Sequence, residues 1–369
     1  MESKKILIDA RLYGPKHTGI GRYVKNLLQA LTTQPNFKKY SWHLLVYQDQ
    51  LPEIKENLSN HFIYHPTTIK HYSLSEQLFL PFLIFKINPD LVHFTHFNKP
   101  LLYFKKSVVT IHDLIKHFST GPETTTKNKY LYWLKHFSYL FLTNIVIKTN
   151  NLVVPSNFWR NYLIKNFSIK PNQVTTTYEA IDPNFIIKPL NSNQPKNYLI
   201  YTGNLYPHKN IEIILSSLQK LPDIKLKVIC SRSVFSDRLQ KKIKKMHLEN
   251  QVDFLGYIDD LQFQKIYSQA LCLVHPSFYE GFSLTGLEAM SLGCPVISSN
   301  SSCLPEIYQD SCLYFDPNSS DQLIQNILLF KNNSKLRQEY IKKGYLQVKK
   351  YSWKTTASQT LAIYEQQLS

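Results

Sequence analysis

Residues 271–292 read LCLVHPSFYEGFSLTGLEAMSL. Leu271 to His275 is a short apolar run that stops at a proline, the pattern of a buried strand. A Pro-Ser loop follows, Glu280-Gly281 turns the chain, and Leu284 to Leu292 predicts a helix. Strand, loop and helix in that order form the repeating unit of a parallel sheet with crossover helices. The alternation extends in both directions. Strands are expected at Tyr198–Tyr201, Leu226–Cys230, Val252–Leu255 and Pro295–Ser298. Helices are expected at Ile211–Leu218, Arg238–Met246, Ser319–Leu329 and Thr355–Gln367. A polar stretch from Asp182 to Asn197 with three prolines reads as a domain boundary. Before it, strands are expected at Lys5–Asp9, Trp42–Tyr47, Leu91–Phe94, Val108–Ile111 and Leu152–Pro155. Helices there are expected at Arg22–Leu31, Ser75–Phe85 and Tyr130–Leu142. The expected class is α/β: two Rossmann-like domains, 1–180 and 181–352, facing across a cleft, then a final helix at 353–369. Ligands of open α/β sheets bind at the carboxyl ends of the strands, so the chemistry is expected there.

Composition agrees. The 369 residues are 43% hydrophobic and 19% charged, a balance that excludes global disorder and suits two domains. Five cysteines form no C-x-x-C pair, which supports neither a zinc ribbon nor a disulfide scaffold. The first apolar run is too short for a signal sequence, and no 18-residue apolar stretch occurs. A cytoplasmic protein is therefore expected. Charge is the outlier at +17, with +12 carried by residues 1–180 and +5 by the rest. That excess suits an anionic partner, whether nucleic acid, phospholipid or a phosphate-bearing substrate. A general lysine bias is the plainer explanation.

Four motifs carry candidate chemistry. Gly14-Pro-Lys-His-Thr-Gly-Ile-Gly-Arg22 is expected as a loop before a helix, where Gly19 and Gly21 would let backbone approach a phosphate. Val24 stands where a dinucleotide fingerprint needs its third glycine. His112, in Thr110-Ile-His-Asp-Leu114 at the end of a strand, could bond a sugar hydroxyl or simply a neighbouring carbonyl. Tyr201-Thr-Gly-Asn-Leu-Tyr-Pro-His-Lys-Asn210 leaves its strand through Gly203 and puts Lys209 before a helix, a natural point charge for a diphosphate. In the fourth, amides near Leu284 and Thr285 could receive phosphate oxygens at a helix start. Glu280 and Glu288, separated by seven residues, could each accept bonds from hydroxyls of one extended ligand.

These strings resemble the retaining GT-B-fold glycosyltransferases of the group 1, or family 4, type and its mannosyltransferase-like branch. The resemblance rests on Thr18-Gly-Ile-Gly-Arg-Tyr23, Pro89-Asp-Leu-Val-His-Phe94, Ile111-His-Asp-Leu114, Val154-Pro-Ser156 and Gly203-Asn-Leu-Tyr-Pro-His-Lys-Asn210. It continues through Phe254-Leu-Gly-Tyr257, Glu280 to Met290 and Tyr351-Ser-Trp353, so it spans nearly the whole chain. It implies that Glu280 faces the donor sugar hydroxyls and Glu288 the ribose. Lys209 and backbone from Ser283 through Leu284 to Thr285 would hold the diphosphate, with Gly203 in the same loop as Lys209. Gly19 and Gly21 would let the first domain close over it, and His112 would lie beside the transferring sugar. Gly256 and Tyr257 would border the base, and the final helix would cross back onto the first domain. His208 and Asn204 stand where the family often has arginine, which shifts phosphate neutralisation onto Lys209 and the helix amides.

The implied reaction moves a sugar, mannose as the best guess, from a GDP- or UDP-sugar to a glycan or lipid-linked acceptor in surface polysaccharide or lipopolysaccharide synthesis, with retention. No D-x-D string occurs, so neither a metal nor another cofactor is expected. An anionic membrane surface is a candidate partner, through Lys105, Lys106, Lys127, Lys129 and Lys135 beside the aromatic stretch Tyr130–Leu134. Two other classes compete. A nicotinamide-dependent oxidoreductase lacks its fingerprint at Val24, and a nucleic-acid binder lacks a recognisable module, so no nucleic acid is expected.

Overall fold

The computed structural model describes residues 3–58, 61–121, 125, 128–183, 195–230, 234–256 and 258–369. They divide into two compact units. The first contains Met1–Leu114, Trp133–Glu179 and Ser352–Ser369, and the second Ile115–Tyr132 and Ala180–Tyr351. The segment 115–132, inside the range 1–180, thus groups with the second unit.

In the first unit the strands are β1 (Lys5–Asp9), β2 (Ser41–Tyr47), β3 (Phe62–Thr67), β4 (Leu91–Phe94), β5 (Ser107–Thr110), β6 (Asn151–Val154) and β7 (Val174–Thr176). They pair in parallel in the order β3-β2-β1-β4-β5-β6-β7. The helices are α1 (Thr18–Thr32), α2 (Leu51–Asn57), α3 (Leu74–Ile87), α4 (Lys129–Thr149), which joins this unit from Trp133 on, and α5 (Asn157–Phe167). Lys127 and the Lys129 side chain lie outside what is described. Every residue of β4 and β5 is buried, as expected of parallel strands covered on both faces. Helix α1 contributes Tyr23, Val24, Leu27, Leu28 and Leu31 to that core at helical spacing.

The second unit repeats the plan. Its strands β8 (Tyr198–Thr202), β9 (Lys225–Ile229), β10 (Val252–Phe254), β11 (Cys272–His275), β12 (Val296–Ser299) and β13 (Leu313–Phe315) are all parallel, in the order β10-β9-β8-β11-β12-β13. Helices α6 (Glu212–Leu218), α7 (Val234–Lys245), α8 (Asp260–Gln269), α9 (Leu284–Ser291), α10 (Leu304–Tyr308), α11 (Ser320–Asn332) and α12 (Ser334–Val348) surround them.

The last helix, α13 (Trp353–Leu368), belongs to the first unit. Ser352 caps it by accepting from the Thr355 amide at 3.1 Å. The Gln34 amide donates to Lys354 O at 3.1 Å, Thr356 Oγ1 donates to Tyr178 O at 2.5 Å, and Tyr364 meets buried His93 at 2.5 Å. All five cysteines are buried thiols. Among the described residues, no helix is long and apolar enough to cross a membrane.

Candidate active site in the second unit

The site is built where β8 and β11 end. Gly203 leaves β8 at φ +139°, a conformation that L side chains rarely adopt, and its amide donates to Ile229 O. The chain then makes a short turn over Pro207–Lys209 and stops at Asn210, held at φ +53°. Two sets of bonds tie this loop to the one after β11. The Asn210 side-chain amide donates to Pro276 O and Pro317 O, and the Phe278 amide donates to His208 O. Lys209 is thereby set against Glu280.

Lys209 Nζ donates to both Glu280 oxygens, at 2.7 and 2.8 Å. Glu280 Oε1 also accepts from Ser277 Oγ at 2.7 Å and lies 2.8 Å from His275 Nε2. A carboxylate only accepts, so His275 carries a proton on Nε2. Nδ1 faces the Tyr308 hydroxyl at 2.9 Å and Ser283 Oγ at 3.1 Å. Burial drives the Glu280 carboxyl up, but the Lys209 ammonium and the His275 bond outweigh it and hold it well below the usual carboxylate range. Burial, helped by the neighbouring Lys209 charge, lowers His208 to about 4, leaving a neutral imidazole.

Tyr308, from α10, organises the start of α9. Its hydroxyl donates to Ser283 O and accepts from the Gly286 amide, each at 3.1 Å. A Cβ on Gly286 would sit 2.3 Å from the Tyr308 ring, so only glycine fits. Ser283 takes φ +82°, which turns the chain into the helix. The Leu284 and Thr285 amides, first in the helix, have no intrahelical acceptor by position. The Gly286 amide is instead taken by Tyr308. Glu288 is buried on the next turn. Its carboxylate adds to the burial that drives the Tyr267 phenol far above its usual range, against the opposing Thr202 bond. Tyr267 meets Thr202 at 2.5 Å, beside Gly203.

Lys209, Glu280, Ser283, Leu284, Thr285, Glu288 and Gly203 therefore lie in one unit around the β8 and β11 ends. Gly256 follows β10 at φ +65°, with open space where a Cβ would stand. Tyr257 lies outside the described residues. Gly19, Gly21 and His112 belong to the first unit.

One expectation there needs correcting. Gly19 and Gly21 are not in a loop, because α1 already begins at Thr18. A Cβ on Gly21 would come within 1.9 Å of Gly14 O, so this glycine makes room for the protein's own backbone. Gly19 has open space around its Cβ position. His112 has both ring nitrogens turned toward protein acceptors: Nε2 donates to Thr95 O at 3.0 Å, and Nδ1 lies 3.4 Å from Glu179 Oε1. Its ring edge meets Tyr23 at 4.7 Å.

Sequence reading did not single out His275, Ser277, Ser302 or Tyr308. His275 and Ser277 stood inside the quoted string and could have been found as the polar neighbours of Glu280. Tyr308 and Ser302, which accepts from the Glu280 amide, lie outside it and carry no local signal.

Two units, each a parallel sheet with helices on both faces, define the GT-B fold. The solved sucrose-phosphate synthase of Thermosynechococcus elongatus shares it, at a TM-score of 0.77 and 19% identity, with 99% of each chain covered. A structure of HepE from Anabaena in complex with UDP-glucose matches at a TM-score of 0.73 and 14% identity, over 99% of this chain and all of that one. The family described as Glycosyltransferase Family 4 matches residues 17–185, and Glycosyl transferases group 1 matches residues 182–347. The chain belongs to these group 1, family 4 glycosyltransferases, and it is a transferase enzyme. Among its relatives is the O-antigen chain mannosyltransferase B of Escherichia coli, 28% identical over 94% of this chain and 96% of that one.

Proposed function

We propose that the protein transfers mannose, with retention, from a nucleoside-diphosphate sugar to a glycan or lipid-linked acceptor in O-antigen-type polysaccharide synthesis. It would work at the inner face of the cytoplasmic membrane, against its anionic lipids. The name of the Escherichia coli relative supports the sugar and the pathway class. The UDP-glucose held by HepE supports a nucleotide-sugar donor, with GDP and UDP both open to test.

The observation that carries the reading is the pair formed by part-exposed Lys209 and buried Glu280 beside the first amides of α9. A leaving diphosphate develops negative charge that an ammonium and oriented amides stabilise without rearranging. Lys209 and the Leu284 and Thr285 amides are assigned that task. Glu280 would grip sugar hydroxyls through its carboxylate, with His275 and Ser277 fixing its orientation, and Glu288 would take the ribose. The transition state has oxocarbenium character, and the donor phosphate takes the acceptor proton in a front-face attack. His112 is proposed beside the transferring sugar, which requires it to exchange one of its protein contacts for substrate. Gly203, Gly256 and Tyr257 would border the nucleotide, and Gly19 would leave room for it.

The test is the purified protein with a panel of GDP- and UDP-sugars and a lipid-linked acceptor, the product anomer being read by NMR. Transfer from GDP-mannose with retention is expected. Transfer of a different sugar replaces the donor assignment, inversion discards the front-face mechanism, and no transfer from any nucleotide sugar ends the proposal.

A further inference from the structure

Among its described residues the first unit buries three carboxylates, those of Asp9, Glu76 and Glu179. Asp9 and Glu76 both bond the Arg11 guanidinium, at 2.6 and 2.7 Å. Glu179, 7% exposed, has no such partner. Among the described residues neither a lysine nor an arginine stands within ion-pair distance of it. Its one polar side-chain contact there is the approach of Oε1 to His112 Nδ1 at 3.4 Å. Oε2 accepts from no described residue, yet it is not sealed from solvent. Burying a carboxylate without a cation is costly, and an uncharged side chain of the same size would suit the fold better.

The backbone fixes where this carboxylate stands. β7 ends at Thr176, and the next three residues are tied down. The Thr177 amide donates to Val154 O at 2.9 Å, and Tyr178 O accepts from Thr356 Oγ1 of α13 at 2.5 Å. The Asn157 side-chain amide donates to the Tyr178 hydroxyl at 2.6 Å. Glu179 is thereby held just past the carboxyl end of β7, beside His112, which stands just past the carboxyl end of β5. Ligands of open α/β sheets bind at this edge. One oxygen is steadied by the imidazole and the other is left open, an orientation supported by its neighbours before any ligand arrives.

The open oxygen can only accept, so its ligand must donate a hydrogen bond. In the function proposed above, Lys209, Glu280, Glu288 and the first amides of α9 are all committed to the nucleotide sugar, and all belong to the second unit. The hydroxyls of the acceptor have no partner in that scheme.

We infer that Glu179 binds the acceptor glycan, Oε2 accepting a hydrogen bond from a hydroxyl of the acceptor sugar while His112 steadies Oε1. The inference rests on the sugar transfer proposed above and names the side chain that takes its second substrate.

The experiment compares the wild-type chain with Glu179→Gln and Glu179→Ala. Its readouts are the melting temperature, steady-state transfer with donor and acceptor varied separately, and saturation-transfer NMR of methyl glycosides of mannose, galactose and N-acetylglucosamine. Relieved of an unpaired buried charge, both variants are expected to melt no lower than the wild type. The acceptor KM is expected to rise about ten- to hundred-fold in Glu179→Ala, the usual worth of a hydrogen bond to a charged group. Glu179→Gln keeps one accepting oxygen and is expected to lose less. The KM for the nucleotide sugar, and its slow hydrolysis without acceptor, are expected to stay as they are. A methyl glycoside that saturates on the wild type is expected to lose its signal on Glu179→Ala. An unchanged acceptor KM and an unchanged glycoside signal overturn the inference. A fall in kcat alone, or a melting temperature well below the wild type, assigns Glu179 to holding His112 and overturns it too. A wild type that binds a glycoside through Glu179 but transfers no sugar refutes the function and leaves the role of Glu179 standing. A wild type that neither transfers sugar nor binds any glycoside overturns both.

Discussion

Glu280→Gln changes almost no volume but removes the charge that organises the second unit's site. Lys209 is left with its side chain 18% exposed and no carboxylate, and one half of the new amide points donors at its ammonium. Removing one partner of a buried pair costs about 3–5 kcal/mol, and the part-exposed lysine puts this case near 3. For a unit of this size that is a fall in Tm of about 6–12 °C. The sign with pH follows from the Glu280 carboxyl, held below its ordinary value. Its contribution is complete above the unfolded pKa, about 4.3, and is lost as pH falls through the lower folded value. The wild type and the variant should therefore differ most near neutrality and converge in acid. Thermal unfolding of both across that range is the assay. Equal midpoints at neutral pH, or a gap that widens in acid, would refute the charge argument. Loss of transfer in a variant still folded at the assay temperature would separate the sugar-binding role from the structural one.

Tyr308→Phe should cost about 1–3 kcal/mol, because the buried Gly286 amide loses its acceptor, and should weaken nucleotide-sugar binding measured by calorimetry. Gly21→Ala should destabilise the first unit by about 3 kcal/mol in urea unfolding, since its Cβ meets Gly14 O. Gly19→Ala, with open space, should stabilise α1 by about 0.5–1 kcal/mol, and a fall in activity despite that gain would mark a ligand nearby. His93 is buried and its pKa is lowered to about 3, so the unfolded chain binds its proton first as pH falls. Stability carried by its neutral form is present above about pH 6.5 and should drop by about 2 kcal/mol by about pH 5, a dependence that His93→Gln should remove.

Alternation was enough to read most strands and helices, because buried parallel strands are apolar runs. β3 escaped because it is an edge strand containing His65 and Pro66, which look like a loop. β13 is three residues long, and α12 carries more charge than apolar pattern. At the site, Glu280, Glu288 and Lys209 were legible as charged residues at strand ends and helix starts. That Lys209 and Glu280 bind each other was not, since the residues are 71 apart and are brought together by the pairing of β8 with β11 and by the Asn210 and Phe278 bonds. Gly21 shows the opposite failure. A glycine before a helix suggests a phosphate, yet the atom it accommodates is Gly14 O.

The mutual clasp of Lys209 and Glu280 sets an entry condition. A lone anion approaching the ammonium must evict a carboxylate already bonded twice, and a neutral polyol approaching the carboxylate must evict the ammonium. A molecule bearing both a negative group and hydroxyls at the right separation exchanges the two contacts together and leaves neither charge stranded. Such an arrangement discriminates by coincidence, turning away inorganic phosphate and free sugar alike.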